Sequence, residues 1–213
     1  MHRIIGENVY HKLISEEDKD GIISATSDWR KDGAGQNVRK FEGGIFQQWL
    51  DQNAAVADNM VKDPLTPGSS PGNSSFFGII TQGTYLKSDD TFIGFSRSRF
   101  LEEGVFENEL VCFVPEYRGN SYLTESSILG LKTLFITFNA NTLISKVPVD
   151  KSSSSIPSTT KESDDIETKL DRIEPVTYKK TILTQEEFLA WLNKPENEDI
   201  KNATYEYHWN YTE

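Results

Sequence analysis

Glu109–Glu125, ELVCFVPEYRGNSYLTE, is the stretch on which the reading of this chain turns. Its apolar opening, Leu110 to Val114, has the length and composition of a buried strand. Pro115 ends that strand, and Arg118-Gly119-Asn120-Ser121 forms a tight polar turn. From about Leu123 to Asn139 the spacing becomes helical, with Ile128, Leu131, Leu134, Phe135 and Phe138 on one stripe. Strand, polar turn and helix start together present backbone N–H groups to phosphates. The first N–H groups of a helix lack internal partners and carry partial positive charge. If a phosphate-bearing ligand binds this chain, this turn is the place expected to hold it.

Upstream, residues 4–14, with Ile5, Val9 and Leu13, predict a first strand. Ser15-Glu16-Glu17-Asp18 has the Ser-x-x-acid form of a helix cap, and a helix follows to about Ser27. Lys31–Gly44 is a glycine-bearing loop, and Phe46, Trp49 and Leu50 recur at helical spacing in a second helix to about Met60. Residues 63–75, with three prolines, form a loop. Phe76–Thr81, Thr91–Phe100 and Phe106–Val114 predict a meander of three strands, turning at Lys87–Asp90 and at Gly104. In its middle strand Arg97 and Arg99 are expected on the face of Ile93, paired with Glu102, Glu103 or Glu107.

Downstream, Thr142–Val149 predicts a further strand. Lys151–Lys169, rich in Ser, Thr, Lys and Asp, reads as a linker or poorly ordered insertion. Val176–Leu183 predicts a strand, and Thr184-Gln185-Glu186-Glu187 a capping box that opens a helix with Phe188, Leu189, Trp191 and Leu192. Tyr205, Tyr207 and Trp209 alternate with polar residues as a terminal strand. The expected organisation is a core over 1–150, a polar insertion over 151–170, and 171–213 as the C-terminal part of the same domain.

Composition narrows the function. A net charge of −11 with no basic stripe argues against nucleic acid as a ligand, and it suits steering of cationic substrates. No segment approaches the roughly 20 apolar residues of a membrane helix, and the N-terminus lacks a signal-peptide core, so a cytoplasmic protein is expected. Cys112, the single cysteine, lies inside an apolar strand and reads as an inert buried thiol. His2, His11 and His208 are too scattered for a metal site, and no G-x-S-x-G elbow occurs.

The order of elements and the residues at their joints resemble the Gcn5-related N-acetyltransferase (GNAT) superfamily, in particular the branch named for RimJ and RimL. Ile5-Gly6-Glu7 with Val9, Leu13 and Glu17-Asp18 is similar to that group's opening. Phe92-Ile93-Gly94-Phe95 resembles its third strand, and Pro115-Glu116-Tyr117-Arg118-Gly119-x-x-Tyr122-x-Thr124-Glu125 resembles its acetyl-CoA loop. The resemblance implies an α/β fold of acyl-CoA N-acyltransferase type, a mixed and mostly antiparallel sheet with helices on both faces.

It also implies an activity. Acetyl-CoA would be the co-substrate, held by the loop 113–125 through Phe113, Val114, Arg118, Gly119, Asn120, Ser121, Tyr122, Leu123 and Thr124. A primary amine, either a protein N-terminus or a small molecule, would attack the thioester directly. Glu109 is the position that resembles the family's proton acceptor, with Glu107 as a substitute. Trp29 and the loop after it fall where the family borders its acceptor site. No metal is implied.

The chain departs from the family pattern at two small positions of the Arg/Gln-x-x-Gly-x-Gly/Ala loop, where it has Ser121 and Leu123. A second CoA-contacting segment corresponds to Ser152–Pro157 and lacks the group's Asn and Gly-Phe. The alternative these departures leave is a non-catalytic module that keeps the fold and has lost the CoA groove.

Overall fold

The computed structural model describes residues 3–26, 44–62, 79–102, 104–148, 161–169 and 176–208. Their strands are β1 (Arg3–Ile5), β2 (Val9–Leu13), β3 (Ile79–Leu86), β4 (Phe92–Glu102), β5 (Val105–Phe113), β6 (Thr142–Pro148), β7 (Lys161–Lys169), β8 (Val176–Thr184) and β9 (Glu206–His208). They form one sheet in the order β7-β8-β6-β5-β4-β3-β2-β1-β9. Every neighbouring pair is antiparallel except β5–β6, which is parallel. The helices are α1 (Lys19–Ala25), α2 (Phe46–Lys62), α3 (Ser121–Lys132, continued by a π turn at Thr133–Thr137), α4 (Gln185–Leu192) and α5 (Glu198–Asn202).

Residues 4–14 are two strands rather than one. Gly6 turns the chain, its N–H donating to Val9 O at 2.9 Å. The turn is fastened from α3: Glu125 Oε1 accepts from the N–H groups of Asn8 (2.8 Å) and Val9 (3.2 Å), and Oε2 accepts from Asn8 Nδ2 at 2.9 Å. A Cβ on Gly6 would lie 2.6 Å from Glu125 Oε1, so the glycine is what lets the carboxylate approach. Ser15 and Asp18 cap the next segment as expected, with Asp18 Oδ2 accepting from the Ser15 N–H at 2.7 Å. Thr184 and Glu187 do the same for α4.

Strand β3 runs on to Leu86, past the expected end at Thr81. Gly83 makes room for an aromatic ring: a Cβ there would meet Tyr85 Oη at 2.5 Å. Within the stretch expected to be linker or poorly ordered insertion, Lys161–Lys169 is strand β7, antiparallel to β8. As the outermost strand it has one neighbour, and a polar, charged edge is compatible with pairing. Residues 27–43, 63–78 and 149–160, with Trp29, the proline-rich loop and Ser152–Pro157, lie outside the described residues, as does Trp209.

Both faces of the sheet are covered. On one, Phe95 packs with Ile14, Ile22, Ala25, Phe46 and Trp49 beneath α1 and α2. On the other, Ile4, Val9, Leu86, Ile93 and Phe113 pack against Leu129 of α3. The same face holds Phe106, Leu143 and Leu183 against Ile128, Leu131 and Phe135 of α3 and its π turn and Phe188 and Leu192 of α4. A register shift beside Ile93, where Thr84 pairs with Gly94 and Tyr85 with Phe92, sends Ile93 and Phe95 to opposite faces. Arg97 therefore follows Phe95, not Ile93, and its guanidinium lies 4.7 Å over the Trp49 ring.

His11 of β2 is buried, with Nε2 2.8 Å from Ser126 Oγ of α3, and Ser126 Oγ is 3.2 Å from Thr84 Oγ1. Burial pushes the imidazole down from 6.5 to about 4, with the Glu125 charge opposing in part. The unfolded chain takes up the proton near pH 6.5 and the folded protein only near 4, so this contribution is complete above 6.5 and lost as pH falls between the two values. Urea unfolding followed from pH 7 to 4 is expected to show a loss of about 3 kcal/mol over that window. His11→Gln removes this part of the pH dependence; equal pH slopes for the two proteins would refute the assignment.

Candidate active site

The parallel ladder between β5 and β6 has four rungs, from Val105↔Thr142 to Asn108↔Ser145. Beyond it β5 continues to Phe113, while β6 stays paired with β8 as far as Pro148↔Tyr178. The strands part at Asn108. The residue after it supplies a reason: Arg97 pairs with Leu110 and Ser98 with Asn108, which leaves Glu109 as an extra residue in β5. Such a bulge bends its strand and increases the local twist. β6, hydrogen-bonded to β8, does not follow.

Backbone direction along the freed edge follows from the register. Val114 donates its N–H to Ile93 O at 2.9 Å, so the intervening pair Gly94↔Phe113 is one whose own N–H and C=O groups point outward. Phe113 and, two residues earlier, Val111 therefore turn their backbone polar groups toward the opening. The side chains on this face repeat the pattern: Phe106 and Phe113 are 2% and 4% exposed, but Val111 between them is 43% exposed.

At its far end this edge runs into the Arg118–Ser121 turn. A short 3₁₀ turn at Pro115–Tyr117 leads to Gly119, whose φ of +76° only glycine adopts without strain. Asn120 then caps α3, its Oδ1 accepting from the Tyr122 N–H at 3.1 Å. Helix geometry leaves the N–H groups of Ser121 and Leu123 without an intrahelical acceptor. Ser121 and Thr124 are exposed, whereas the side chains of Tyr122 and Leu123 pack inward against the Ile4–Leu129 cluster. Leu123 thus points away from the turn surface, although its size at a small-residue position suggests a protrusion.

Arg118 has a role that the sequence does not show. Nε donates to Phe113 O at 2.8 Å and Nη2 to Ala25 O at 2.9 Å. The side chain ties the end of β5 to the C-terminus of α1, where a cation also suits the helix dipole. The turn therefore offers backbone N–H groups, and its arginine holds them in place.

Glu109 stands on the opposite, α2-covered face. Its Oε2 accepts from Arg97 Nε at 2.9 Å, and its Oε1 is bound by Arg99 Nη2. Arg97 also donates to Thr81 Oγ1 and to Gln52 Oε1, each at 3.2 Å. Burial lowers the pKa of Arg97, and the Glu109 carboxylate opposes that shift. Both arginines thus pair with Glu109, a partner outside the expected Glu102, Glu103 and Glu107. Glu107 is buried and lies across from Arg99 in the ladder.

Phe113, Val114 and Arg118 to Thr124, named from the sequence, lie along the end of β5, the turn after it and the first turn of α3. Sequence reading omits Asn108, Val111, Trp49, Gln52 and Thr81, because a bulge has no sequence signature and each looks like an ordinary strand or helix residue. Among the described residues no group of three or more His, Cys, Asp or Glu side chains could hold a metal ion. No described helix is long and apolar enough to cross a membrane.

Arg118→Ala removes two hydrogen bonds from a charged donor and is expected to destabilise the fold by about 2 kcal/mol. Gly119→Ala forces a side chain into the left-handed region, at a cost of about 1 kcal/mol, with open space around the new methyl. Thermal unfolding checks both. A neutral Arg118→Ala would mean that the two bonds do not hold the turn.

No family model matches the chain, and no curated protein matches it. Solved structures do. It is similar to an acetyltransferase of the GNAT family from Bacillus anthracis, with 13% identity, 86% of this chain and 99% of the other covered, and a TM-score of 0.60. It is similar to a GCN5-related N-acetyltransferase from Brucella melitensis, with 14% identity, coverage of 92% and 86%, and a TM-score of 0.59. A spermidine N-acetyltransferase from Vibrio cholerae, in complex with CoA and spermine, matches at 10% identity, with coverage of 85% and 98% and a TM-score of 0.58. With strands parting beside a helix N-terminus, and these three structures superposing over most of their length, the chain has the GNAT fold: a mixed, mostly antiparallel sheet flanked by helices.

Proposed function

We propose that this protein is an acetyl-CoA-dependent N-acetyltransferase, of the RimJ/RimL-like branch, acting on a primary amine. The observation that carries the proposal is the free edge of β5. It starts where the ladder to β6 stops, at Asn108, and ends on the N-terminus of α3. An extended ligand with amide groups pairs with such an edge, and a pyrophosphate at its end meets helix N–H groups. Acetyl-CoA has both parts.

The residues present fit that ligand. Val111 offers its N–H and C=O along the edge and Phe113 its N–H, the Phe113 carbonyl being held by Arg118, and the exposed Val111 side chain offers apolar contact. Gly119, Asn120 and Ser121 form the turn surface, and Ser121 and Leu123 offer N–H groups at the helix end. Arg118 fixes the turn. When bound, acetyl-CoA supplies an acyl carbon that the amine attacks directly, with the thiolate as leaving group.

Within this reading Glu109 takes the proton from the ammonium form of the acceptor. Its partner Arg97 has a side chain 11% exposed and Arg99 one 46% exposed, so Oε1 is the oxygen that an incoming ammonium competes for. The acceptor is a protein N-terminus or a small-molecule amine, and the setting is the cytoplasm. Residues 1–150 and 171–213 act as one catalytic domain, with acetyl-CoA at 113–125.

One observation favours the alternative, a GNAT-fold binding module without activity: both oxygens of Glu109 are already occupied by guanidinium groups. Calorimetry with acetyl-CoA, followed by a transfer assay on a panel of primary amines, separates the two. Micromolar binding with transfer is the expected result, and Glu109→Gln should lower kcat about 10²-fold or more while CoA affinity is kept. Binding without transfer selects the module. No binding at millimolar CoA ends the acetyl-CoA reading.

A further inference from the structure

The residue just before the bulge has an unusual environment. Asn108 forms the last rung of the β5–β6 ladder, opposite Ser145. Two-residue alternation places it on the face of Phe106, which is 2% exposed under α3 and α4. Past the bulge that face continues with Val111 at 43% exposure and closes again at Phe113. The helix layer thus covers both ends of β5 and leaves its middle open, with Asn108 at the inner margin of the gap.

Asn108 Oδ1 is buried and accepts no hydrogen bond. The hydroxyl of Thr181, which pairs with Ser145 across β6–β8, donates to Ser145 O at 3.3 Å. A buried carbonyl that has lost water and gained no donor is destabilising, and most buried polar groups avoid it. The carboxamide torsion is broad and two-fold, so the oxygen can turn into the opening without backbone movement. The backbone N–H and C=O of Val111 and the N–H of Phe113 face the same opening, the Phe113 carbonyl being held by Arg118.

We propose that Asn108 is a binding residue for the acyl-CoA arm. Its side-chain carbonyl, to which no protein group donates, accepts an amide N–H of the extended arm. The inference rests on the acetyl-CoA reading above and goes beyond it by assigning a side chain to the arm, separate from the groups that hold the pyrophosphate. The ligand class it selects is an acyl thioester on an amide-bearing arm rather than a bare nucleotide.

Calorimetric titration of the full chain, Asn108→Leu and Asn108→Ala with CoA and with adenosine 3′,5′-bisphosphate, which lacks the arm, tests it. Both variants are expected to bind CoA about tenfold more weakly and the bisphosphate with unchanged affinity. Thermal unfolding of ligand-free Asn108→Leu should be at least as high as that of the wild type, since an orphaned polar group has gone. Unchanged CoA affinity in the variants overturns the assignment and leaves the acetyl-CoA reading intact. Equal weakening of both ligands, or loss of folding in both variants, overturns it too, because the carboxamide then serves the free protein. Absence of CoA binding by the wild type removes both the reading and the inference.

Discussion

One residue too many in a strand bends it, and the candidate site depends on that bend. Glu109 has no counterpart in β4, and directly beyond Asn108 the parallel ladder to β6 ends although both strands continue. β6 is held by β8, so β5 alone departs. The gap between them exposes strand backbone in the middle of a sheet. Its far end meets a helix N-terminus. No separate device is needed to bring an extended arm and a phosphate site into line.

The same bulge positions the polar cluster on the other face. With Glu109 and Leu110 both accommodated opposite Arg97, the glutamate reaches Arg97 and Arg99 at once. Arg97 is buried under Trp49 and takes further acceptors from Gln52 and Thr81, so a desolvated cation is satisfied on several sides. The arrangement joins α2 to the strands next to the opening. It also makes Glu109 a held carboxylate, whose freedom depends on the half-exposed Arg99.

Two long-range contacts explain pieces of sequence that look unrelated. Glu125 closes the Gly6–Val9 turn, which links the opening of the chain to the first turn of α3. Arg118 spans from the end of β5 to the last residue of α1. Both residues belong to the run that resembles an acetyl-CoA loop, and both act through their side chains on the scaffold. Leu123, a large residue at a small position, is accommodated because its side chain joins the core while its N–H stays at the helix end.

Local signals were enough for the elements. Apolar runs, helical stripes and the caps at Ser15 and Thr184 located the strands and helices, because each depends on neighbours within four residues. They were also enough for the order of strand, turn and helix around Arg118, and the fold class followed from the resemblance of that order to a known family. Where a residue's fate depends on a distant neighbour, the sequence misled or was silent. Lys161–Lys169 looked like linker because only β8 makes it a strand. The faces of Ile93 and Arg97, the partners of Glu109 and the parting of β5 from β6 all turn on register between strands. Register is fixed by pairing across the sheet, and one extra residue shifts every side chain after it to a new face.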